Sequence, residues 1–584
     1  MKANAPRRQR GAALLAMVAA IMLAATWMLV NQLNTGSAGM EAARKAKNAA
    51  VLQRAKLALI GYVAAQTTKA FEDRPGTLPC PEAAGYFDST TDDGKAASSC
   101  SLPKVGRFPW RTIGTDKLTD ASGEPLWYVV SPGWAYTSGI GPVINSNSIG
   151  QLTVDGVAND AVALIIAPGP AFVVAASASP VCAAKAQVRL ATGTPDWSDY
   201  LECENATYPI ADATFVTTGP SASFNDQVLK ITVADIMPAI EAGIASRIER
   251  EIAPLITAVY SGNASWGNLT TLLPMGVAFS IPSANANAYA GTPAFQGLLP
   301  LSYAETTAGS GVACTATAAP NYCEPNFVKW SGTPTVSISS GITQYPGGPT
   351  NCTISTSTTT TVNCTAYGTA PIGSPPTVNL SIAATASNAG AALRTFNTAA
   401  TMTGINAAGR AAAATLDSSG TASVTVTGSS SSGTTVADAT CGLSGVTGLS
   451  CYQYTLSVSI FLFADHPNIQ TLLDSTNATG WFVRNNWHLL SYYAVATAVG
   501  PGGAGSCVTG STCLQVSYHP GNGKQRAVLL LAGSAIAGQN RTSSTLSNWF
   551  EGANAGGASP FEVRSATLST NRTFNDRVAV ISTN

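Results

Sequence analysis

A short phrase occurs twice in this chain, and that repetition constrains the fold more than any other feature. Ser223-Phe-Asn-Asp-Gln-Val228 returns as Thr573-Phe-Asn-Asp-Arg-Val578. Four further pairs keep the same order: Leu126-Trp-Tyr-Val-Val-Ser131 with Ser491-Tyr-Tyr-Ala-Val-Ala496, Leu152-Thr-Val154 with Leu514-Gln-Val516, Ala161 to Gly169 with Ala527 to Gly533, and Glu202-Cys-Glu-Asn-Ala206 with Glu551-Gly-Ala-Asn554. One such match arises easily by chance, whereas five in one order indicate a duplicated structural unit. The matched segments are short, β-branched and aromatic, and Gly, Asn, Asp and Pro separate them, so each copy reads as an antiparallel sheet.

A helix precedes each set of strands. From Met40 to about Gln66, Val51, Leu52, Ala55, Leu59, Ile60 and Val63 form one apolar stripe, opposite Lys45, Lys47, Arg54 and Lys56. The second helix has Asp235 placed to cap it, Pro238 in its first turn, and Ile240, Ile244, Ile248 and Ile252 at every fourth position. Glu241, Arg247, Glu249, Arg250 and Glu251 keep it out of a membrane, and Pro254 is expected to kink or end it. Between this helix and its strands lies an insertion, Lys329 to Asp474, rich in Thr, Ser, Gly and Ala. Alternation in Thr335–Ser339, Thr377–Ile382, Ala422–Thr427 and Tyr454–Ile460 predicts a small β-sandwich, against a flexible low-complexity spacer as the competing reading. Ala411 to Ala414 and Ser429 to Thr434 are expected to be loops.

Charged residues make up 11% of the chain against roughly 25% in ordinary soluble domains. Net charge is zero, which gives no footing for nucleic acid. The twelve cysteines fall in six sequential couples: Cys80 and Cys100, Cys182 and Cys203, Cys314 and Cys323, Cys352 and Cys364, Cys441 and Cys451, Cys507 and Cys513. Nearest-neighbour disulfides in an oxidising compartment are expected, although spacing alone does not fix connectivity. None of the couples has CxxC spacing.

At the N-terminus Lys2, Arg7, Arg8 and Arg10 precede an uncharged run from Gly11 to about Val30. Roughly 20 helical residues suffice to span a bilayer. The expectation is a single-pass inner-membrane helix with a cytoplasmic N-terminus and a periplasmic bulk, reaching the cell surface after assembly. A cleaved signal peptide ending near Ser37-Ala38-Gly39 is the alternative. The fold class expected is α+β: an N-terminal transmembrane helix continuing into a helix-plus-antiparallel-sheet head, duplicated, with an inserted all-β region. The divisions are a leader at 1–11, the transmembrane and amphipathic helix at 12–68, a first head at 69–232, a helix and the start of a second head at 233–328, the insertion at 329–474 and the remaining strands at 475–584.

Arg8-Gln-Arg-Gly11 followed by Ala12-Ala-Leu-Leu-Ala-Met17 resembles the leader of type IV pilins and type II secretion pseudopilins. Arg74-Pro-Gly-Thr-Leu-Pro-Cys-Pro81, Gly106-Arg-Phe-Pro-Trp110 and Asp120-Ala-Ser-Gly-Glu-Pro-Leu-Trp-Tyr128 are similar to segments of large pilin-like proteins of proteobacteria. The resemblance implies a pilin-like head, cleavage after Gly11 by a prepilin peptidase, methylation of the new amine on Ala12, and assembly with other pilin or pseudopilin subunits through helix packing. Ala16 stands where most of these families carry a glutamate, a departure that points to a tip or initiating subunit.

Motifs for catalysis are missing: HExxH, GxSxG and a Walker loop are absent, and the three histidines, His466, His488 and His519, read as loop or surface residues. No catalytic, metal or cofactor residues are assigned. Asp88, Asp92 and Asp93 with Gly94 lack the spacing of a calcium loop and read as a solvated turn, while Trp134, Trp197, Trp487 and Trp549 read as core or recognition residues. The sequons at Asn205 and Asn268 carry little weight. Three functions compete: a filament assembly component, a membrane-anchored surface adhesin whose insertion meets a ligand, and an envelope enzyme.

Overall fold

The structure is a computed structural model that describes residues 10–69, 72–100, 105–137, 142–171, 173–178, 181–182, 184–190, 194–206, 214–217, 224–258, 273–281, 293–299, 328–339, 342–344, 351–354, 361–373, 375–388, 395–402, 411–415, 421–430, 433–461, 472, 480–500, 505–519, 521, 523–564 and 573–583. Two units make up the chain, one of residues 1–62, 78–141 and 149–233, the other of residues 63–77, 142–148 and 234–584. Sheets dominate both, with five α-helices among the described residues.

Helix α1 (Arg10–Thr68) is one helix of 59 residues, so Asn34 to Gly39 do not loosen it. Among the described residues no helix is long and apolar enough to cross a membrane. The expected N-terminal transmembrane helix is therefore corrected, and with it the single-pass inner-membrane placement with cytoplasmic N-terminus and periplasmic bulk. Length is the first reason, since the uncharged run whose side chains are described covers about 10 Å of helix. Where side chains of α1 are described, the run Met22–Met28 is uncharged, but beyond Gly39 come Glu41, Arg44, Lys45, Lys47, Arg54 and Lys56. They leave no described stretch of spanning length apolar enough.

In the first unit, β1 (Val105–Arg107), β2 (Trp127–Val130), β3 (Ala163–Ala167) and β4 (Gln227–Ile231) form an antiparallel sheet in that order. Every residue of β3 is buried, so both faces are covered. Val105, Trp127, Val129, Leu164 and Ile166 pack on one face with Val154, Tyr200 and Phe215. Tyr128 points to the other face and lies near Tyr62 of α1. The α1 stripe is buried at Leu52, Ala55 and Leu59. Each such side chain contributes about 1.5–3 kcal/mol on burial.

In the second unit, β5 (Gln296–Gly297), β6 (Ser491–Val495), β7 (Gln525–Leu531) and β8 (Arg577–Thr583) pair in the same sequential, antiparallel order. Helix α2 (Val233–Arg247) buries Ile236, Ile240 and Ile244. It begins before Asp235, which therefore sits in the first turn rather than at the cap. Pro254 does not end the helical path. A π-turn over Ile248–Ile252 precedes it, and a further α-turn runs over Ala253–Thr257. Proline offers no N–H to the preceding turn, and the wider turn accommodates that gap. Gly243 allows close approach: a Cβ there would lie 2.8 Å from Thr67 Cγ2.

The 329–474 stretch holds two sheets. Val328–Ser339, Val378–Asn388 and Thr421–Ser430 form one, and a larger sheet centres on Thr361–Pro371 and Leu449–Phe461. Val336, Ile338, Leu380, Ile382, Val424 and Val426 are buried, while Thr335, Ser337, Ser423, Thr425 and Thr427 are exposed. Ala411–Thr415, expected as a loop, is a strand paired with Thr395–Met402, and Ser429 and Ser430 pair with Val378 and Asn379. Ladder hydrogen bonds and neighbours override the weak strand preference of such residues. Five disulfides join Cys80–Cys100, Cys182–Cys203, Cys352–Cys364, Cys441–Cys451 and Cys507–Cys513. Cys314 and Cys323 lie outside the described residues.

Candidate binding site

Each unit builds one buried polar node from residues distant in sequence. In the first, Glu202 N–H donates to Asp226 Oδ2 (3.1 Å), as does Asn205 Nδ2 (3.0 Å). The backbone N–H groups of Asn225 and Asp226 both donate to Glu202 Oε2 (3.0 Å), and Gln187 Nε2 donates to Glu202 Oε1 (2.6 Å). In the second unit Glu551 N–H (2.8 Å) and Asn554 Nδ2 (3.1 Å) donate to Asp576 Oδ2. Asn575 N–H donates to Glu551 Oε2 (3.0 Å) and Gln539 Nε2 to Glu551 Oε1 (2.6 Å). Arg189 stacks on Tyr200 and donates to Gly169 O, while Arg541 stacks on Trp549 and donates to Gly533 O.

Asp226 Oδ1 and Asp576 Oδ1 are buried and meet no N–H group. Each aspartate carboxyl instead lies beside the carboxyl of its partner, Glu202 or Glu551. Two buried carboxyl groups sit together at low cost only if one holds a proton. Burial, with Glu202 beside it, accordingly holds Asp226 well above the usual aspartate range, and burial beside Glu551 does the same for Asp576. Burial also raises Glu202.

In the first unit a cavity of about 260 Å³ adjoins this scaffold. The Cys80–Cys100 bridge closes the loop that forms its rim. Arg107, on β1, has a buried guanidinium whose Nη2 lies 2.6 Å from Glu82 Oε1 and 3.4 Å from Asp93 Oδ1. Lys117 Nζ lies 3.0 Å from Asp93 Oδ2 and 3.3 Å from Asp88 Oδ1. The Phe87 ring sits 3.8 Å from the Arg107 guanidinium carbon. Gly94 N–H donates to Glu82 Oε1 (2.9 Å). Burial raises Glu82 to about 7 in spite of Arg107, and it lowers Arg107. Trp127 and Trp197 form aromatic walls, and the Trp127 indole N–H is buried without an acceptor among the described residues. A fixed acceptor and donor beside aromatic faces suit binding and orientation of a small ligand.

The residues singled out from the sequence fall differently. Asp88, Asp92 and Asp93 are engaged by Lys117, Lys95 and Arg107, and among the described residues no group of His, Cys, Asp and Glu is arranged to hold a metal. Trp134, Trp487 and Trp549 are buried, and Trp197 is half-buried at the cavity. His488, expected in a loop or at the surface, lies instead in the turn Trp487–Leu490 against the Phe482 ring, where burial lowers its imidazole to about 4. His466 and Asn268 lie outside the described residues, and Asn205 is a buried member of the node. Gly11 and Ala12 fall in the first turn of α1, and their side chains are outside the described set. Sequence reasoning missed Glu82, Lys117 and the Gln-x-Arg pairs Gln187/Arg189 and Gln539/Arg541. The last of these was visible as one more ordered match.

Fold and site together define a disulfide-bridged protein of mixed α+β type with several sheets. Beyond that class, no protein-family model, no curated protein and no solved structure matches the chain.

Proposed function

We propose that this chain is a minor subunit, of tip or initiating type, in a type IV pilus or type II secretion filament, and that it acts by assembly rather than catalysis. One observation supports this above others. On α1, whose 59 residues extend over about 90 Å, Met22, Leu23, Trp27, Met28 and Met40 are each between 64% and 72% exposed. Apolar side chains in such number on one helix call for a covering surface. Helices of neighbouring subunits supply one, and the pilin-like leader at Arg8–Gly11 is consistent with delivery to such an assembly. N-terminal sequencing of the mature protein from cells that contain a prepilin peptidase tests this. The expected first residue is Ala12, lost on replacement of Gly11; an unprocessed N-terminus in wild type refutes the proposal.

A second reading, a surface adhesin, rests on the uncharged face at Thr335, Ser337, Ser423, Thr425 and Thr427. Deleting 329–474 then abolishes attachment and leaves filament assembly intact; undiminished attachment removes this reading.

A further inference from the structure

We propose that the cavity of the first unit binds one neutral, ring-shaped polyhydroxylated ligand, a single monosaccharide unit. Size excludes more than one ring: about 260 Å³ lies just below the ~300–1,000 Å³ of pockets for drug-sized ligands. Charge favours a neutral ligand: Glu82 and Asp93 are balanced by Arg107 and Lys117, paired at 2.6–3.4 Å, so no charge is left over for an ion. A neutral hydroxyl does not disturb the pairing, because it donates to the Glu82 carboxylate and accepts from the Arg107 guanidinium at once.

Vicinal hydroxyls on a ring match that adjacent acceptor and donor. Trp197, Phe87 and Pro195 offer apolar faces to the C–H face of the ring. The Trp127 ring closes the inner end of the same wall.

The second unit carries the same scaffold with other residues at the wall positions. Trp127 pairs with Ile166, and the residue in that register on β6 is Tyr492, paired with Leu530. The Tyr492 hydroxyl donates to Gly557 O (2.7 Å), so no donor is left over. Trp197 opens a three-residue turn capped by Asp196; Leu546 opens the corresponding turn and packs against Gly557. The lining of the cavity is thus particular to the first copy, and it stands whether or not the chain enters a filament.

Saturation-transfer NMR on the full-length protein, with methyl glucopyranoside and N-acetylglucosamine as probes, tests the proposal, alongside quenching of wild-type tryptophan fluorescence. Transfer to ring C–H protons and saturable quenching are expected with at least one probe. Glu82→Gln weakens binding by about tenfold or more, Trp197→Ala abolishes it, and Leu546→Ala leaves it unchanged. Silence of both probes in wild type overturns the proposal, and so does undiminished transfer in a folded Trp197→Ala protein. Tighter binding of glucosamine or glucuronate than of the neutral probes overturns it as well.

Discussion

Replacing Asp226 by Asn removes a titration while keeping the shape of the node. The asparagine carbonyl accepts from Glu202 N–H and Asn205 Nδ2 as Asp226 Oδ2 does, and its amide donates to the Glu202 carboxyl where the shared proton lies. Asp576→Asn does the same beside Glu551. Both aspartates are held above their unfolded value, so each folded node keeps a proton that the unfolded chain releases above about pH 4. Their stabilising contribution is fully present below that pH and is lost as pH rises through the folded value. Between those limits each node costs about 1.4 kcal/mol of stability per pH unit, equal to a tenfold rise in the opening equilibrium. Hydrogen exchange corrected for intrinsic rates reads this locally, through Ala163–Ala167 and Gln227–Ile231 for the first node and through Gln525–Leu531 and Arg577–Thr583 for the second. Protection should fall about tenfold per pH unit in wild type, and each Asn variant should flatten only its own sheet. A pH-independent wild type, or a variant that keeps the slope, refutes the shared proton.

Gly169→Ala should destabilise the first unit by about 1–3 kcal/mol in urea titration, because φ is +70° and the new Cβ would lie 2.6 Å from Asn225 Oδ1. Arg247→Ala should cost about 1.5–3 kcal/mol, since it removes the bonds of a buried guanidinium to Glu251 and Glu72 O and its place 4.1 Å from the Trp481 ring, while Arg250 and the Trp481 N–H still hold Glu251; a loss below 1 kcal/mol on the same titration would refute this role.

The repeated strands were legible because the node imposes specific residues at fixed places. Glu202 and Asp226 must each accept backbone N–H groups, so Glu-x-x-Asn and Asn-Asp recur as letters as well as in hydrophobic pattern. The alternating Thr and Val of the insertion was equally plain, since one face of each strand is buried. The stretch at Ala411–Thr415 was not, because its pairing with Thr395–Met402 is decided by a strand distant in sequence. The membrane reading failed for a related reason. Gly11 to Val30 reads as one apolar run, whereas the apolar stretch described on that helix is Met22–Met28, and Glu41, Arg44, Lys45 and Lys47 follow it. Glu82 and Lys117 left no signature, because a charge pair formed across a loop shows no spacing along the chain.

What the two copies share and where they part separate scaffold from function within a single chain. A node that protonates one of two buried carboxyl groups carries a desolvation cost, and it is retained twice because its partners are backbone N–H groups that would otherwise be stranded. Such a site tolerates little change. The wall positions differ between the copies: Tyr492 satisfies its hydroxyl on Gly557 and Leu546 lies against Gly557, but Trp127 has an N–H without an acceptor among the described residues and Trp197, whose N–H donates to Ala206 O, stands beside a void. Retaining an unsatisfied donor and an unfilled volume lowers stability, and a copy that has a filled alternative available within the same chain is expected to bear that loss only where something else occupies the space.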